Sequence, residues 1–175
     1  SDKKRSQTSI VKILFVCLGN IFRTPTAEGV FRHKAREAGI KDGFIGKIFI
    51  DSAGTAGFHM AAPPDKRAQL TTLKFGIDIG DLQARKISLQ DFADFDYILA
   101  MDEDNLNILL NNCPKEHQHK LHLFMSFAKN CPGITEVPDP FYGKIDDFDK
   151  AYDFIDRAAQ GFLEYIMEKH NLPTS

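Results

Sequence analysis

The sequence predicts an α/β protein, a single domain built on a doubly wound, four-stranded parallel sheet flanked by helices. Two observations carry this expectation. Residues 11–16, 47–51, 97–101 and 120–124 are short runs rich in Ile, Leu, Val and aromatics, as in strands covered on both faces. Helical patterns lie between and after these runs, which implies βαβ units with right-handed crossovers. The size agrees: 175 residues with 43% hydrophobic and 26% charged residues are most simply one globular domain.

The elements follow in chain order. Residues 1–9 are polar and are expected to form a flexible amino-terminal tail, with the domain spanning 10–172. Lys3, Lys4 and Arg5 ahead of the apolar stretch Ile10 to Leu18 superficially resemble a secretion signal. Lys12 interrupts the stretch and no small-residue cleavage pattern follows, so a buried strand explains it better. The first helix is expected over 24–38, with Pro25 in its first turn and Gly39 just past its end. Its stripe is Ala27, Val30, Phe31 and Ala35. A second helix is expected over 64–75, ending at Gly76. A third over 88–92 has the capping-box spacing of Ser88 and Asp91. A fourth over 102–112 stops before Pro114. In the last helix Phe148, Tyr152, Ile155, Ala159, Phe162 and Ile166 recur at three- and four-residue steps.

Composition excludes several classes of function. A net charge of −2 gives no positive field to attract nucleic acid, and no apolar run approaches the ~18 residues of a membrane span. Three cysteines cannot all pair and suit a reducing, cytoplasmic compartment.

Ligands of doubly wound sheets bind beyond the carboxyl ends of the strands, which directs attention to the end of the first strand. There Cys17, Leu18, Gly19, Asn20, Ile21, Phe22, Arg23 and Thr24 lead into Pro25. Consecutive backbone N–H groups before a helix amino terminus make an anion cradle. Gly19 and Asn20 are residue types that accept left-handed backbone angles. Arg23 adds a planar fork suited to two phosphate oxygens, and Thr24 can donate its hydroxyl to the sulfur. Together these groups favour thiolate over thiol at Cys17, a nucleophile at the bottom of the cradle. In this composition a Cys followed six residues later by Arg and then Ser or Thr arises in about 1% of shuffled sequences. An inert buried thiol is the commoner fate of a free cysteine, but the strand before the loop and the helix after it weigh against that here.

Four stretches carry a resemblance: residues 16–28 around that loop, Asp51-Ser52-Ala53-Gly54-Thr55, Met101-Asp102 with Asn105, and Pro138-Asp139-Pro140-Phe141-Tyr142-Gly143. In this order they resemble the low-molecular-weight protein tyrosine phosphatases, over about residues 10 to 170. The resemblance implies hydrolysis of phosphotyrosine monoesters through a phosphocysteine intermediate, with no metal and no cofactor. Cys17 would be the nucleophile; Arg23 and the loop amides would bind phosphate. Asp139 would be general acid, then base for the attacking water. The acid must be protonated while the sulfur is not, so activity is expected to peak at mildly acidic pH. Phe58, His59, Phe141 and Tyr142 would line a slot for the phosphotyrosine ring. Expected partners are phosphotyrosine proteins or peptides, with phosphate- and vanadate-like oxyanions as inhibitors, and a monomer or weak dimer as the form.

Three departures bear on function. Phe22 stands where many members carry a second cysteine able to protect the nucleophile as a disulfide. Protection is therefore expected to be absent unless Cys113 or Cys131 reaches the site. Thr24 replaces the usual Ser and adds a methyl. Ile21 stands where relatives acting on phosphoarginine tend to have Thr, which favours phosphotyrosine. Two rival readings remain. An arsenate reductase of the same fold needs a close pair of redox cysteines, unlike Cys113 and Cys131. A non-catalytic phosphotyrosine-binding module has no need of Cys, Arg and Asp together. His117, His119 and His122 read as a surface loop entering a strand rather than a metal site.

Overall fold

The computed structural model describes residues 10–43, 45–140 and 143–172. Strands β1 (Val11–Cys17), β2 (Ile48–Gly54), β3 (Tyr97–Ala100) and β4 (Leu121–Leu123) form one parallel sheet in the order β2-β1-β3-β4. Successive connections leave β1 in opposite directions, so the loop after β1 emerges at the switch point of the sheet. The expected tail, residues 1–9, lies outside the described residues.

Among the described residues five α-helices cover the sheet: α1 (Arg23–Glu37), α2 (Lys66–Leu73), α3 (Leu89–Asp94), α4 (Glu103–Asn112) and α5 (Ile145–Lys169). The alternation of β1 divides the core between two faces. Ile13 and Phe15 pack with Phe31 of α1, Ala68 of α2 and Phe162 of α5. Leu14 and Val16 pack with Phe92 of α3 and Leu109 of α4. Phe15 meets Phe31 and Phe124 edge-on at centroid distances of 5.9 and 5.2 Å, and burying each such ring stabilises the fold by about 1.5–3 kcal/mol. All six stripe residues expected of the last helix are buried. At Gly161 a Cβ would lie 1.8 Å from the Phe127 carbonyl oxygen, so α5 seats directly on the backbone beneath it.

Several expected boundaries move, each for a local reason. β2 runs three residues past the expected Asp51, because Ser52, Ala53 and Gly54 continue to pair, up to Cys17 opposite Gly54. α1 begins one residue early, at Arg23, and ends before Gly39, whose φ is +83°. α2 is shorter than expected: Asp65 caps it, its Oδ1 accepting from the Arg67 N–H at 2.8 Å. The capping pair of α3 forms, with the Ser88 N–H donating to Asp91 Oδ2 at 2.7 Å. β4 is only three residues long, because 3-10 turns at Lys115–Lys120 and Phe124–Phe127 replace the expected loop and strand ends. His117 and His119 lie in the first of these turns, and His122 lies on β4. No helix among the described residues is long and apolar enough to cross a membrane.

At the end of the sheet away from the β1 loop, Tyr97 Oη lies 2.7 Å from His170 Nε2, and the His122 ring is 6.1 Å from that of Tyr97. Burial depresses both imidazoles below the usual 6.5, and Lys169 depresses both further; His119 adds to this at His122, while Asp96 opposes it at His170. The fold thus prefers neutral rings. Their contribution to stability is intact above pH 6.5 and is lost as the pH falls through the depressed values. Urea titrations at pH 7.5 and 5.5 are expected to show lower stability at 5.5. The double variant His122→Asn/His170→Asn should narrow that difference, and an unchanged difference would refute the assignment.

Candidate active site

The loop after β1 is shaped by where its carbonyls go. The Cys17 carbonyl accepts from the Thr55 N–H at 2.8 Å and that of Leu18 from Ala56 at 3.0 Å. The Ile21 carbonyl accepts from the Asp65 N–H at 2.6 Å, and that of Phe22 from the Thr26 hydroxyl at 2.7 Å. In a planar trans peptide the next N–H points the opposite way. The amides of Leu18, Gly19, Phe22 and Arg23 are thereby turned away from these partners. Among the described residues no protein acceptor takes the N–H groups of residues 18–22.

The backbone reversal is made at Asn20, with φ +55°. Gly19 was expected to share this left-handed geometry and does not; among glycines only 39, 43, 76 and 133 have positive φ. Its use is clearance, since a Cβ there would sit 3.2 Å from His59 Cδ2. Gly54 serves similarly, because a Cβ would meet the Leu18 carbonyl oxygen at 2.7 Å.

Cys17 is buried, with 3% of its surface exposed. Its Sγ lies 3.1 Å from Thr24 Oγ1, and the Thr24 hydroxyl donates to Asn20 Oδ1 at 2.8 Å. The Asn20 amide is oriented by its Nδ2, which donates to the Ser52 carbonyl at 3.4 Å. In this arrangement the thiol donates to Thr24. Once the sulfur is ionised, the single hydroxyl proton can turn to it instead. Beneath this chain the Ser52 hydroxyl donates to Glu28 Oε1 at 2.7 Å, and Arg32 Nη2 donates to Oε2 at 2.8 Å. Burial raises the Glu28 carboxyl above its usual range, although Arg32 and Ser52 oppose the shift.

The Arg23 guanidinium is 4% exposed. Its Nη1 donates to Asp102 Oδ2 at 2.7 Å and to the Val137 carbonyl at 2.9 Å. Asp102 is held in turn as the cap of α4, its Oδ1 accepting from the Asn105 N–H at 2.7 Å. Nη2 lies 3.7 Å from Asp139 Oδ2, which ties the 138–140 segment to the loop.

These groups enclose a cleft of about 270 Å³ lined by Cys17, Leu18, Gly19, Asn20, Ile21, Phe22 and Arg23, with Phe58, His59 and Asp139 as its walls. Ten of the thirteen site residues expected from the sequence therefore meet in one place. Thr24 lies beneath the sulfur rather than on the wall. Phe141 and Tyr142 lie outside the described residues. The Phe22 ring stacks on Phe148 at 4.6 Å, which leaves its backbone to the cleft. All three cysteines are free, and Cys113 belongs to the core cluster on the opposite face of the sheet. Sequence reasoning assigned no role to Asp102, Ser52 or Glu28. Their sequence signal is position, since Asp102 follows β3 and Ser52 sits near the end of β2, both beside the switch point.

A strand end carrying a thiol, unpaired amides and a guanidinium can hold a tetrahedral oxyanion against sulfur. The family model for low molecular weight phosphotyrosine protein phosphatase matches residues 12–172. The low molecular weight phosphotyrosine protein phosphatase of Schizosaccharomyces pombe is 41% identical over 160 residues, covering 91% of this chain and 99% of that protein. The human protein of the same name is 41% identical over 154 residues, covering 87% and 93%. The crystal structure of a protein tyrosine phosphatase from Entamoeba histolytica, with Hepes in its active site, superposes with a TM-score of 0.83 at 35% identity. The match covers 93% of this chain and 99% of that one. On this sequence and fold the chain belongs to the low molecular weight phosphotyrosine protein phosphatase family.

Proposed function

We propose that the protein is a metal-independent tyrosine phosphatase, hydrolysing phosphotyrosine monoesters through a phosphocysteine intermediate. The observation that carries this reading is the single cleft that Cys17 and Arg23 line together with residues 18–22, whose N–H groups have no protein acceptor among the described residues. In the first step the Cys17 thiolate attacks phosphorus in line. The S–P bond forms, the P–O bond to the tyrosine breaks, and Asp139 gives the departing phenolate its proton. In the second step water attacks phosphorus, its proton passes to the Asp139 carboxylate, the S–P bond breaks, and phosphate leaves with the thiolate restored. Loop amides and Arg23 stabilise the charge on the equatorial oxygens in both steps.

Phe58 and His59 serve as walls for the ring, and Phe141 and Tyr142 complete the slot in this reading. Inorganic phosphate and vanadate occupy the same cradle and inhibit. Three free cysteines, one of them the nucleophile, suit the cytoplasm.

The test is hydrolysis of para-nitrophenyl phosphate in the presence of chelator. Turnover is expected from the native protein. Asp139→Ala is expected to lower kcat by about 10²–10⁴-fold with little change in KM, because the proton is needed only as the leaving group departs. A loss confined to KM would remove Asp139 from the acid role.

A further inference from the structure

The two sides of the cleft mouth differ in chemistry. From Ser52 to Pro64 the chain carries no Asp, Glu, Lys or Arg, and His59 is its one titratable side chain. Residues 17–22 contain no Asp, Glu, Lys or Arg either. The bonds from Thr55 N–H to the Cys17 carbonyl and from Ala56 N–H to the Leu18 carbonyl lay these two segments side by side. On this side Leu18, Phe58 and Met60 are 44%, 76% and 64% exposed. Met60 is folded back along its own turn, where its sulfur would lie 3.3 Å from a Cβ on Gly57. Leu18 and Phe58 line the cleft itself, so the apolar surface runs from the pocket wall out onto the rim.

Charge on the other side is negative. Asp139 is nearly half exposed, and Glu136, exposed, accepts from the Glu103 N–H at 2.8 Å. Among cations near the mouth, Arg67 is paired with Asp65 at 3.0 Å. Lys86 runs beside Gly57, its Cδ 3.7 Å from where a Cβ would stand. With Asp139 protonated as the acid, a bound segment meets large exposed apolar side chains, with Lys86 beside Gly57, on one flank and the Glu136 carboxylate on the other. Covering the former is favourable, and bringing acidic residues towards the latter is not.

We propose that the rim formed by Leu18, Phe58 and Met60 selects phosphotyrosine segments bearing a large apolar residue beside the phosphotyrosine, and disfavours acidic ones. This rests on the phosphatase reading above and gives it a substrate class. Phe58 contributes to both wall and rim, whereas Met60 belongs to the rim alone.

The experiment compares kcat/KM for para-nitrophenyl phosphate with that for three phosphotyrosine heptapeptides, flanked by Leu, Glu or Lys. The proteins are the native chain, Met60→Glu and Met60→Leu. The native protein is expected to favour the Leu peptide over the Glu peptide by about tenfold. Met60→Glu should cut that preference to about twofold or less, with turnover of para-nitrophenyl phosphate unchanged, because that substrate does not reach the rim. Met60→Leu should keep the preference. Equal rates for all three peptides, a preference for the Glu peptide, or an unchanged preference in Met60→Glu would overturn the rim assignment while leaving the phosphatase reading standing. Failure of the native protein to turn over para-nitrophenyl phosphate would overturn both.

Discussion

Cys17→Ser is expected to abolish turnover of para-nitrophenyl phosphate, lowering kcat by at least about 10⁴-fold, while the protein stays folded and still binds vanadate. The substitution replaces one buried atom. A serine hydroxyl can keep the bond to Thr24 Oγ1 that Cys17 Sγ makes at 3.1 Å, so the loop has no reason to rearrange. What is lost is the nucleophile. A serine hydroxyl is a far weaker acid than a thiol and stays protonated near neutral pH. Among the described residues its hydrogen-bond partner is the Thr24 hydroxyl, already directed to Asn20 Oδ1 and no base. Oxyanion binding survives because it depends on N–H donors that the change leaves alone. The measurements are kcat, the vanadate dissociation constant and the unfolding temperature. Substantial turnover by the purified variant would end the covalent route. An unfolded variant would show that the thiol is needed for packing, contrary to expectation.

The sequence made some of this legible and hid the rest, for physical reasons. Local features could be read. β1 is an apolar run broken by Lys12 alone, α5 repeats its apolar residues at helical spacing, and the Cys17, Arg23 and Thr24 cluster is a short-range pattern whose members share one loop. Features that depend on distant partners could not be read. The extension of β2 through Gly54 depends on pairing with Cys17 of another strand. Gly19 reads as a site of left-handed backbone, but its lack of a side chain makes room for the His59 ring, forty residues away in sequence. The role of Asp102 depends on a bond to a residue 79 positions earlier, and the burial of Glu28 on bonds from Ser52 and Arg32. The 3-10 turns around β4 have no period long enough to register.

That Asp102 bond leads to the second large effect. Arg23→Lys is expected to lower kcat/KM by about 10²–10³-fold and to weaken vanadate binding. In the proposed mechanism Arg23 has two tasks at once. Nη1 is committed to Asp102 and to the Val137 carbonyl at 2.7 and 2.9 Å. The rest of the fork, with Nη2 within 3.7 Å of Asp139, is left to reach two phosphate oxygens. A lysine has one ammonium on a narrower stem. Buried beside Asp102, that ammonium is drawn to the carboxylate, because leaving either charge alone in a site this enclosed is costly. The phosphate then loses its bidentate partner, although the net charge of the protein is unchanged. The loss should fall on both kcat and KM, since the same equatorial oxygens carry charge in the bound ester and in the transition state. Lysine is the informative choice over alanine, because alanine strands Asp102 and mixes a stability loss of about 3–5 kcal/mol into the readout. If Arg23→Lys kept kcat/KM within about tenfold of the native value, the planar fork would not be the group that holds the phosphoryl oxygens, and the amides alone would have to carry that charge.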